Sequence, residues 1–185
     1  MQCPRTLHII THNNNSIRAR NVRNDCCAFL RRSLMINFET VIKRTDLLSA
    51  QEIVNIMKER TKVFVVEQNC AYQEVDNKDD NATHVLFKLG NQIVAYTRIV
   101  PHDNNIDISF GRVLVVKEYR KLNLGRQIVE TTIKYINDNY PNQHIKIQAQ
   151  NYLKHFYESF GFISVSDVYL EDDIPHIDMV INHIN

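Results

Sequence analysis

Two stretches of the chain combine residue types and spacings that could do chemistry. The first, GRVLVVKEYRKLNLGR (111–126), runs from an apolar segment through a basic turn to the start of a helical pattern. This order predicts a strand, a turn and a helix, with unpaired backbone N–H groups where the helix begins. These groups and the helix dipole favour an anion, so we expect a phosphate-binding turn in which Arg120 and Arg126 add charge-assisted hydrogen bonds. On this motif alone, an ordinary strand–turn–helix with a basic surface explains the pattern equally well.

The second stretch, QAQNYLKHFYESFGF (148–162), begins at the end of a predicted strand and continues as a helix. Gly161 is placed to end that helix in the left-handed conformation. Tyr157 brings a phenol, which can donate a proton. Its spacing alone is more typical of an amphipathic tyrosine whose hydroxyl has an ordinary partner.

Together the two stretches resemble the acyl-coenzyme-A (acyl-CoA) site of the GNAT N-acetyltransferase superfamily. The turn pattern of that family is Arg/Gln-x-x-Gly-x-Gly/Ala, and this sequence keeps Arg120 and Gly125 but has Asn123 in place of the first glycine. Asparagine is the residue that most readily replaces glycine at positive φ, so we expect Asn123 to be left-handed. The cofactor-binding residues that the resemblance implies are Val113, Leu114, Val115, Arg120, Lys121, Asn123, Leu124, Gly125, Arg126, Gln150, Asn151 and Phe156.

The resemblance also gives roles to the strand before the turn and to Tyr157. In the family this strand splays from its neighbour, so that backbone amides stay free for the pantetheine arm and the thioester carbonyl. Tyr157 matches the position whose hydroxyl protonates the leaving thiolate. A phenol with a pKa of about 10 can donate to a thiolate whose thiol has a pKa of about 8.5.

Two further segments, VFVVEQNCAYQEVD (63–76) and YLEDDIPHI (169–177), resemble the ElaA-like branch of the same superfamily. The match covers residues 36–183 and implies acetyl transfer from acetyl-CoA, as co-substrate, to a primary amine by direct attack. The acceptor would be a small-molecule or peptide amine. Cys70 could suggest a thiol intermediate instead, but no histidine lies at a recognisable spacing from it.

The acceptor amine must lose a proton before it attacks, because alkyl ammonium groups with a pKa near 10.4 are charged at pH 7. Many GNAT enzymes use a glutamate on a central strand, and the corresponding strands have none here. The candidate bases are therefore Glu67, Asp76, His84 and His176, of which we predict Glu67 and His84 as catalytic together with Tyr157. Glu67 could equally be an ion-paired helix-end carboxylate, and His84 a core histidine with ordinary partners.

Residues predicted to meet the acceptor lie in the two ElaA-like segments and on two central strands. Acidic residues concentrate in the loops around Asp76 and Asp172, and would attract a cationic amine if both loops flank one cleft. Arg98 and Arg112 could bind an acceptor carboxylate or phosphate. The predicted substrate-binding residues are Gln68, Tyr72, Asp76, Arg98, Arg112 and His176.

Periodicity predicts the elements that must position these groups. Strands with alternating apolar residues are expected over 38–43, 84–89, 92–100, 107–116, 144–149, 162–170 and 177–181. A helix should begin at Ser49, whose capping box includes Glu52, and others should cover 59–66, 124–139 and 152–159. The expected fold is one mixed α/β domain of the GNAT type: a mostly antiparallel sheet splayed around acyl-CoA and flanked by about four helices.

Charge and cysteine usage limit the function classes. The 185-residue chain has a net charge of +1, but residues 1–34 alone hold six arginines, no lysine and one acidic residue. The remainder is therefore acidic on balance, so we predict neither nucleic-acid nor membrane binding by it. Only Cys70 lies outside the first 34 residues, so no disulfide framework and no metal site are expected.

We treat residues 1–34 as a disordered extension and residues 35–185 as the acetyltransferase domain. The extension is either a translated upstream segment, with Met35 as the start, which we favour, or a mitochondrial targeting peptide. The predicted location is cytoplasmic, and mitochondrial only if the extension is a genuine presequence. GNAT proteins are often homodimers, and that state stays open here.

Two alternatives to the enzyme remain. The protein could be a non-catalytic acyl-CoA-binding module, since the first glycine and the strand glutamate are both missing. It could also be an RNA- or membrane-binding protein acting through the arginine-rich arm, if residues 1–34 are present in the mature protein.

Overall fold

The structure is a computed structural model that describes residues 38–181. The predicted extension 1–34 lies outside the described residues. The strands are β1 (Glu39–Arg44), β2 (Thr83–Leu89), β3 (Gln92–Pro101), β4 (Ile108–Val115), β5 (Ile145–Gln150), β6 (Ile163–Ser164), β7 (Tyr169–Glu171) and β8 (Ile174–Ile181). The helices are α1 (Ala50–Arg60), which continues as a π-helical segment (Thr61–Glu67), α2 (Leu124–Asn139) and α3 (Lys154–Glu158).

All eight strands form one sheet in the order β1-β2-β3-β4-β5-β8-β6, with β7 also paired to β8. Every neighbouring pair is antiparallel except β4 and β5, which are parallel and share a single register pair, Ile108 with Ile145. Beyond that pair the two strands part. The predicted splayed, mostly antiparallel sheet is confirmed.

Helices cover both faces of the sheet, so alternate residues of each central strand enter different cores. Val85 and Phe87 pack with α2 residues such as Ile128 on one face. Leu86, between them, packs with Ile56 of α1 on the other. Burying a side chain of this size contributes roughly 1.5–3 kcal/mol. The described residues hold three α-helices and the π-helical segment, against about four helices expected.

Local sequence explains how the helices begin and end. The Ser49 hydroxyl accepts from Glu52 N, and the Glu52 side chain accepts from Ser49 N, which is the predicted capping box. The α2 helix has the predicted bounds and ends two residues before Pro141. No helix within residues 38–181 is long and apolar enough to cross a membrane.

The sequence prediction differs from the structure at the end of the chain. A continuous strand over 162–170 was expected, but it is interrupted between β6 and β7. At the interruption the Ser166 hydroxyl accepts the hydrogen bond that Asp178 N would otherwise give to a backbone carbonyl. β8 also begins three residues earlier than expected, because Pro175 is accommodated opposite Leu170 of β7.

Candidate active site

A cavity of about 310 Å³ opens where β4 and β5 separate. Its floor includes Val113 of β4 and residues 147–150 of β5, and Tyr157 of α3 also lines it. The loop 68–78 and the turn between β7 and β8 complete the wall. All six predicted substrate-binding residues line this cavity: Gln68, Tyr72, Asp76, Arg98, Arg112 and His176. Cys70, Glu171 and Asp172 line it as well.

The basic turn lies at the N-terminus of α2, as predicted. Asn123 has φ +59°, which confirms its left-handed conformation, and Lys121 has φ +71°. No side chain caps this helix, in contrast to α1, so the first amides of α2 keep their donor capacity. Leu124 is buried under the helix, while Lys121 is exposed.

The two arginines of the turn bind protein groups in this structure. Arg120 Nε donates to the Val115 carbonyl, and its Nη2 lies 2.6 Å from Glu67 Oε2. Arg126 donates to Glu130 and Ser159, and its guanidinium lies 4.6 Å from the centre of the Phe160 ring. Their role in binding phosphate stays a prediction.

Other predicted cofactor residues lie at the carboxyl ends of β4 and β5 or in the elements that follow β5. Val113 and Gln150 line the cavity, whereas the Leu114 side chain is buried in the core beneath α1. Asn151 begins the turn that leads into α3. Phe156 contacts Tyr157 edge to face at 5.2 Å between ring centres.

Tyr157 is buried among aromatic rings, with its side chain at the cavity wall. The rings of Phe110 and Phe162 lie 6.2 and 5.9 Å from its own. Burial raises the pKa of the phenol, so Tyr157 keeps its proton at neutral pH. Within residues 38–181 its hydroxyl makes no hydrogen bond. The group is therefore available as a donor to a bound ligand.

A network of six charged side chains supports the acceptor side of the cavity, and we call it the arginine–carboxylate network. Its members are Arg60, Glu74, Asp76, Asp79, Arg98 and Arg112. Arg60 is fully buried and donates to both carboxylates on either side of it, Glu74 at 2.8 Å and Asp79 at 2.5 and 3.1 Å. Sequence reasoning missed Arg60 as a site residue, and it counted Glu74 and Asp79 only among the acidic loop residues that would attract a cationic amine. The available signal was Arg60 itself, an arginine on the apolar face of α1.

Arg98 and Arg112 join this network to the cavity. Arg98 holds both oxygens of Asp76, at 2.7 and 3.0 Å. Arg112, left-handed at φ +52° in an irregular part of β4, donates to Glu74 and Asp76. Burial opposes ionisation of Asp76, but its hydrogen bonds with Arg98 outweigh burial and lower its pKa. Asp76 is therefore a weak proton acceptor.

The other two predicted catalytic residues, Glu67 and His84, lie outside the cavity lining. Glu67 is ion-paired with Arg120 at the end of the π-helical segment. His84 is 1% exposed and lies between the hydroxyls of Thr45 and Tyr96, at 2.9 and 2.7 Å. Burial lowers the pKa of His84 to about 4, so its imidazole is neutral at pH 7. The structure therefore gives neither residue a path to the acceptor, and their catalytic role stays a prediction.

Taken together, the splayed sheet, the uncapped turn and the cavity between β4 and β5 indicate an acyltransferase. A family model for the acetyltransferase (GNAT) domain matches residues 46–183. The chain belongs to the GNAT acetyltransferase family.

Comparison with individual relatives shows to which branch of the family the chain belongs. Protein ElaA of Escherichia coli (strain K12) is 40% identical over 136 residues, which are 71% of this chain and 88% of ElaA. The crystal structure of Escherichia coli ElaA matches with a TM-score of 0.74 at 35% identity, covering 79% of this chain and 100% of that chain. An acyl-CoA N-acyltransferase from Pseudomonas aeruginosa also gives 0.74, at 34% identity, covering 78% and 99%. The predicted ElaA-like branch is confirmed.

Proposed function

We propose that the protein transfers an acetyl group from acetyl-CoA to a primary amine by direct attack. The observation that carries the proposal is the gap between β4 and β5, which pair only at Ile108 and Ile145 and leave the cavity beside Tyr157. In the reaction a nitrogen–carbon bond forms and the carbon–sulfur bond of the thioester breaks. The amine gives up a proton, and the thiolate gains one.

The chain has groups suited to the phosphate and pantetheine parts of the co-substrate. The uncapped amides at the start of α2 suit a pyrophosphate. The backbone groups of β4 that face β5 beyond Ile108 have no partner strand. A backbone N–H in that position is suited to hold the thioester carbonyl and to stabilise the oxyanion that forms during attack.

Tyr157 is the proposed donor to the departing sulfur. Its burial keeps the phenol protonated at neutral pH, which a donor requires. Because the pKa of the phenol is raised, we expect it to stabilise the thiolate chiefly through a hydrogen bond rather than through complete loss of its proton.

The test measures thiol release by the full chain with acetyl-CoA and pooled amines: polyamines, amino sugars, amino acids and peptides with free amino groups. We expect acceptor-dependent release. Tyr157→Phe should lower kcat about 10²-fold and leave coenzyme A affinity, measured by calorimetry, nearly unchanged. Tyr152→Phe is the matched control, since Tyr152 is the neighbouring tyrosine and lies outside the cavity lining.

Two outcomes would contradict the proposal in different ways. An unchanged rate in Tyr157→Phe would remove Tyr157 as the donor while leaving the transferase. Tight acetyl-CoA binding without release to any pooled amine would instead support the non-catalytic acyl-CoA-binding module.

A further inference from the structure

His176 lines the cavity in which the proposed reaction would take place. In the sheet register it stands opposite Gln150 of β5 on one side and Tyr169 of β7 on the other. Its ring stacks on Tyr169 with 6.3 Å between ring centres. The side chain is only 12% exposed and lines the cavity together with Tyr157. The imidazole thus lies in the wall of the cavity that the proposed proton donor also lines.

A backbone hydrogen bond fixes which ring nitrogen of His176 carries the proton. Nδ1 lies 2.8 Å from the Ile174 carbonyl, and a carbonyl oxygen can only accept. Nδ1 must therefore be the donor, and in the neutral ring the lone pair belongs to Nε2. Within residues 38–181 the structure gives Nε2 of His176 no hydrogen-bond partner. Nε2 is also not among the buried side-chain atoms that lack a partner, so it is open to the cavity or to solvent. The basic nitrogen is therefore free on a residue of the cavity wall.

Glu171 Oε2 lies 4.0 Å from Nδ1 of His176, at the limit of an ion pair. The Glu171 side chain is half exposed, so solvent screens its interaction with the ring. Several titratable groups face the ring or share the cavity with it. They are Tyr169 and Glu171 of β7, Asp178 of β8, which is paired with Lys146 of β5, Asp172 of the turn, Tyr157 of α3, Cys70, Tyr72, Asp76 and Lys78 of the loop 68–78, Arg98 of β3 and Arg112 of β4.

The other candidate bases are worse placed. Glu67 is bound to Arg120, and His84 is enclosed by Thr45 and Tyr96. Asp76 lines the cavity, but Arg98 holds both of its oxygens. His176 alone among the four combines a place in the cavity wall with an unbonded basic atom among the described residues.

We propose that His176 is the general base of the proposed acetyl transfer, and the assignment rests on that function. Nε2 takes one proton from the acceptor ammonium, and the freed nitrogen lone pair attacks the thioester carbon. The carbon–sulfur bond then breaks and the attacking nitrogen loses a second proton, which balances the proton that the departing thiolate gains with the help of Tyr157. Nε2 returns its proton to solvent before the next turnover.

The test compares two amines of nearly equal size at pH 7.5: ethylamine, which is cationic, and 2,2,2-trifluoroethylamine, which is largely neutral. His176→Gln should lose about 10²-fold or more in kcat with ethylamine but less than about tenfold with trifluoroethylamine, because the neutral amine needs no base to free its lone pair before attack. The limb of the wild-type kcat profile that rises with pH should disappear in the variant. In His176→Ala, which leaves room for a free ring, added imidazole should restore part of the ethylamine rate.

The matched control is His155→Gln, since His155 is 93% exposed on α3 and lies outside the cavity lining. It should behave as wild type with both amines. Equal losses of His176→Gln with both amines would indicate a positioning role and would overturn the assignment while leaving the transferase. If the wild type acetylates neither amine, the proposed function fails with these probes, and the assignment falls with it.

A second readout needs no acceptor. Nitrogen-15 spectra of the labelled full chain above the imidazole titration range should show His176 protonated at Nδ1 and unprotonated at Nε2. His176→Gln identifies the signal by its loss. A ring protonated at Nε2 would overturn the assignment, because no lone pair would then be available to the amine.

Discussion

Replacing Asp79 by asparagine would test how strongly the arginine–carboxylate network stabilises the acceptor side of the cavity. The Asp79 side chain is 8% exposed and accepts from Arg60, from Arg98 at 2.8 Å and from Asp76 N. Asparagine has nearly the same shape, but it removes the negative charge and turns an N–H group towards an arginine. Arg60 would keep only Glu74 as a charged partner.

The structure sets the size of the effect. Burial opposes ionisation of Asp79, but hydrogen bonds from Arg60 and Arg98 outweigh it and lower its pKa from 3.8 to about 2. At ~1.4 kcal/mol per pKa unit, the charge contributes about 2 kcal/mol to the free energy of unfolding at pH 7. Leaving the buried Arg60 underpaired raises the loss to about 3–5 kcal/mol, or roughly 6–20 °C in Tm.

The effect should depend on pH in a defined direction. Because the pKa of Asp79 is lower in the folded state, its contribution is complete above the unfolded value and disappears as pH falls through the folded one. Urea unfolding should therefore show a wild-type–variant gap that is constant near neutrality and narrows from about pH 5 towards pH 2.

Asp80→Asn is the matched control, since Asp80 is the next residue, is exposed and has no ion pair among the described residues. Its unfolding free energy should stay within about 0.5 kcal/mol of wild type. An Asp79→Asn variant as stable as this control, or a gap unchanged from neutral to acid pH, would refute the reasoning.

Two smaller predictions concern the helix starts, and both are measured by urea unfolding. Ser49→Ala should cost about 1 kcal/mol by removing the α1 capping box, while Ser49→Asp should retain most of it; equal loss in both would point away from capping. Asn123→Ala should cost about 1 kcal/mol because alanine is disfavoured at φ +59°, while Asn123→Gly should be nearly neutral. If the alanine and glycine variants are equally stable, Asn123 is not held in the left-handed conformation.

The helices and turns that depend only on neighbouring residues could be predicted from the sequence. The α2 helix has a strong 3.6-residue repeat and a proline two residues after its end, so both bounds could be predicted. The Ser49 capping box and the left-handed Asn123 likewise depend on neighbouring residues alone. The continuation of α1 was predicted as a helix over 59–66, but not in its π-helical form. The interruption at Ser166 was not predicted, because it involves a hydrogen bond from Asp178 N, 12 residues away.

The residues that line the candidate site could be predicted from the sequence, but the ion pairs between them could not. Six acceptor residues were chosen from sequence segments, and all six line one cavity. The ion-pair partners could not be predicted from the sequence, because the pairs of Arg60 with Asp79 and of Arg112 with Glu74 span 19 and 38 residues. No periodicity encodes such pairs. The ion pair that holds Glu67 likewise joins it to Arg120, 53 residues away.

The ion pairs of the arginine–carboxylate network change which residues can determine the specificity for the acceptor. Arg98 and Arg112 were predicted to bind an anionic group, but within the described residues both are held by the carboxylates of the network, three arginines against three acids. A network that is balanced in charge contributes little net field to the cavity. Asp172 has no ion pair within residues 38–181, and Glu171 has only the long contact with His176. The excess negative charge therefore lies in the β7–β8 turn, beside the proposed base, which favours an ammonium approaching His176 over an acceptor anchored through a carboxylate.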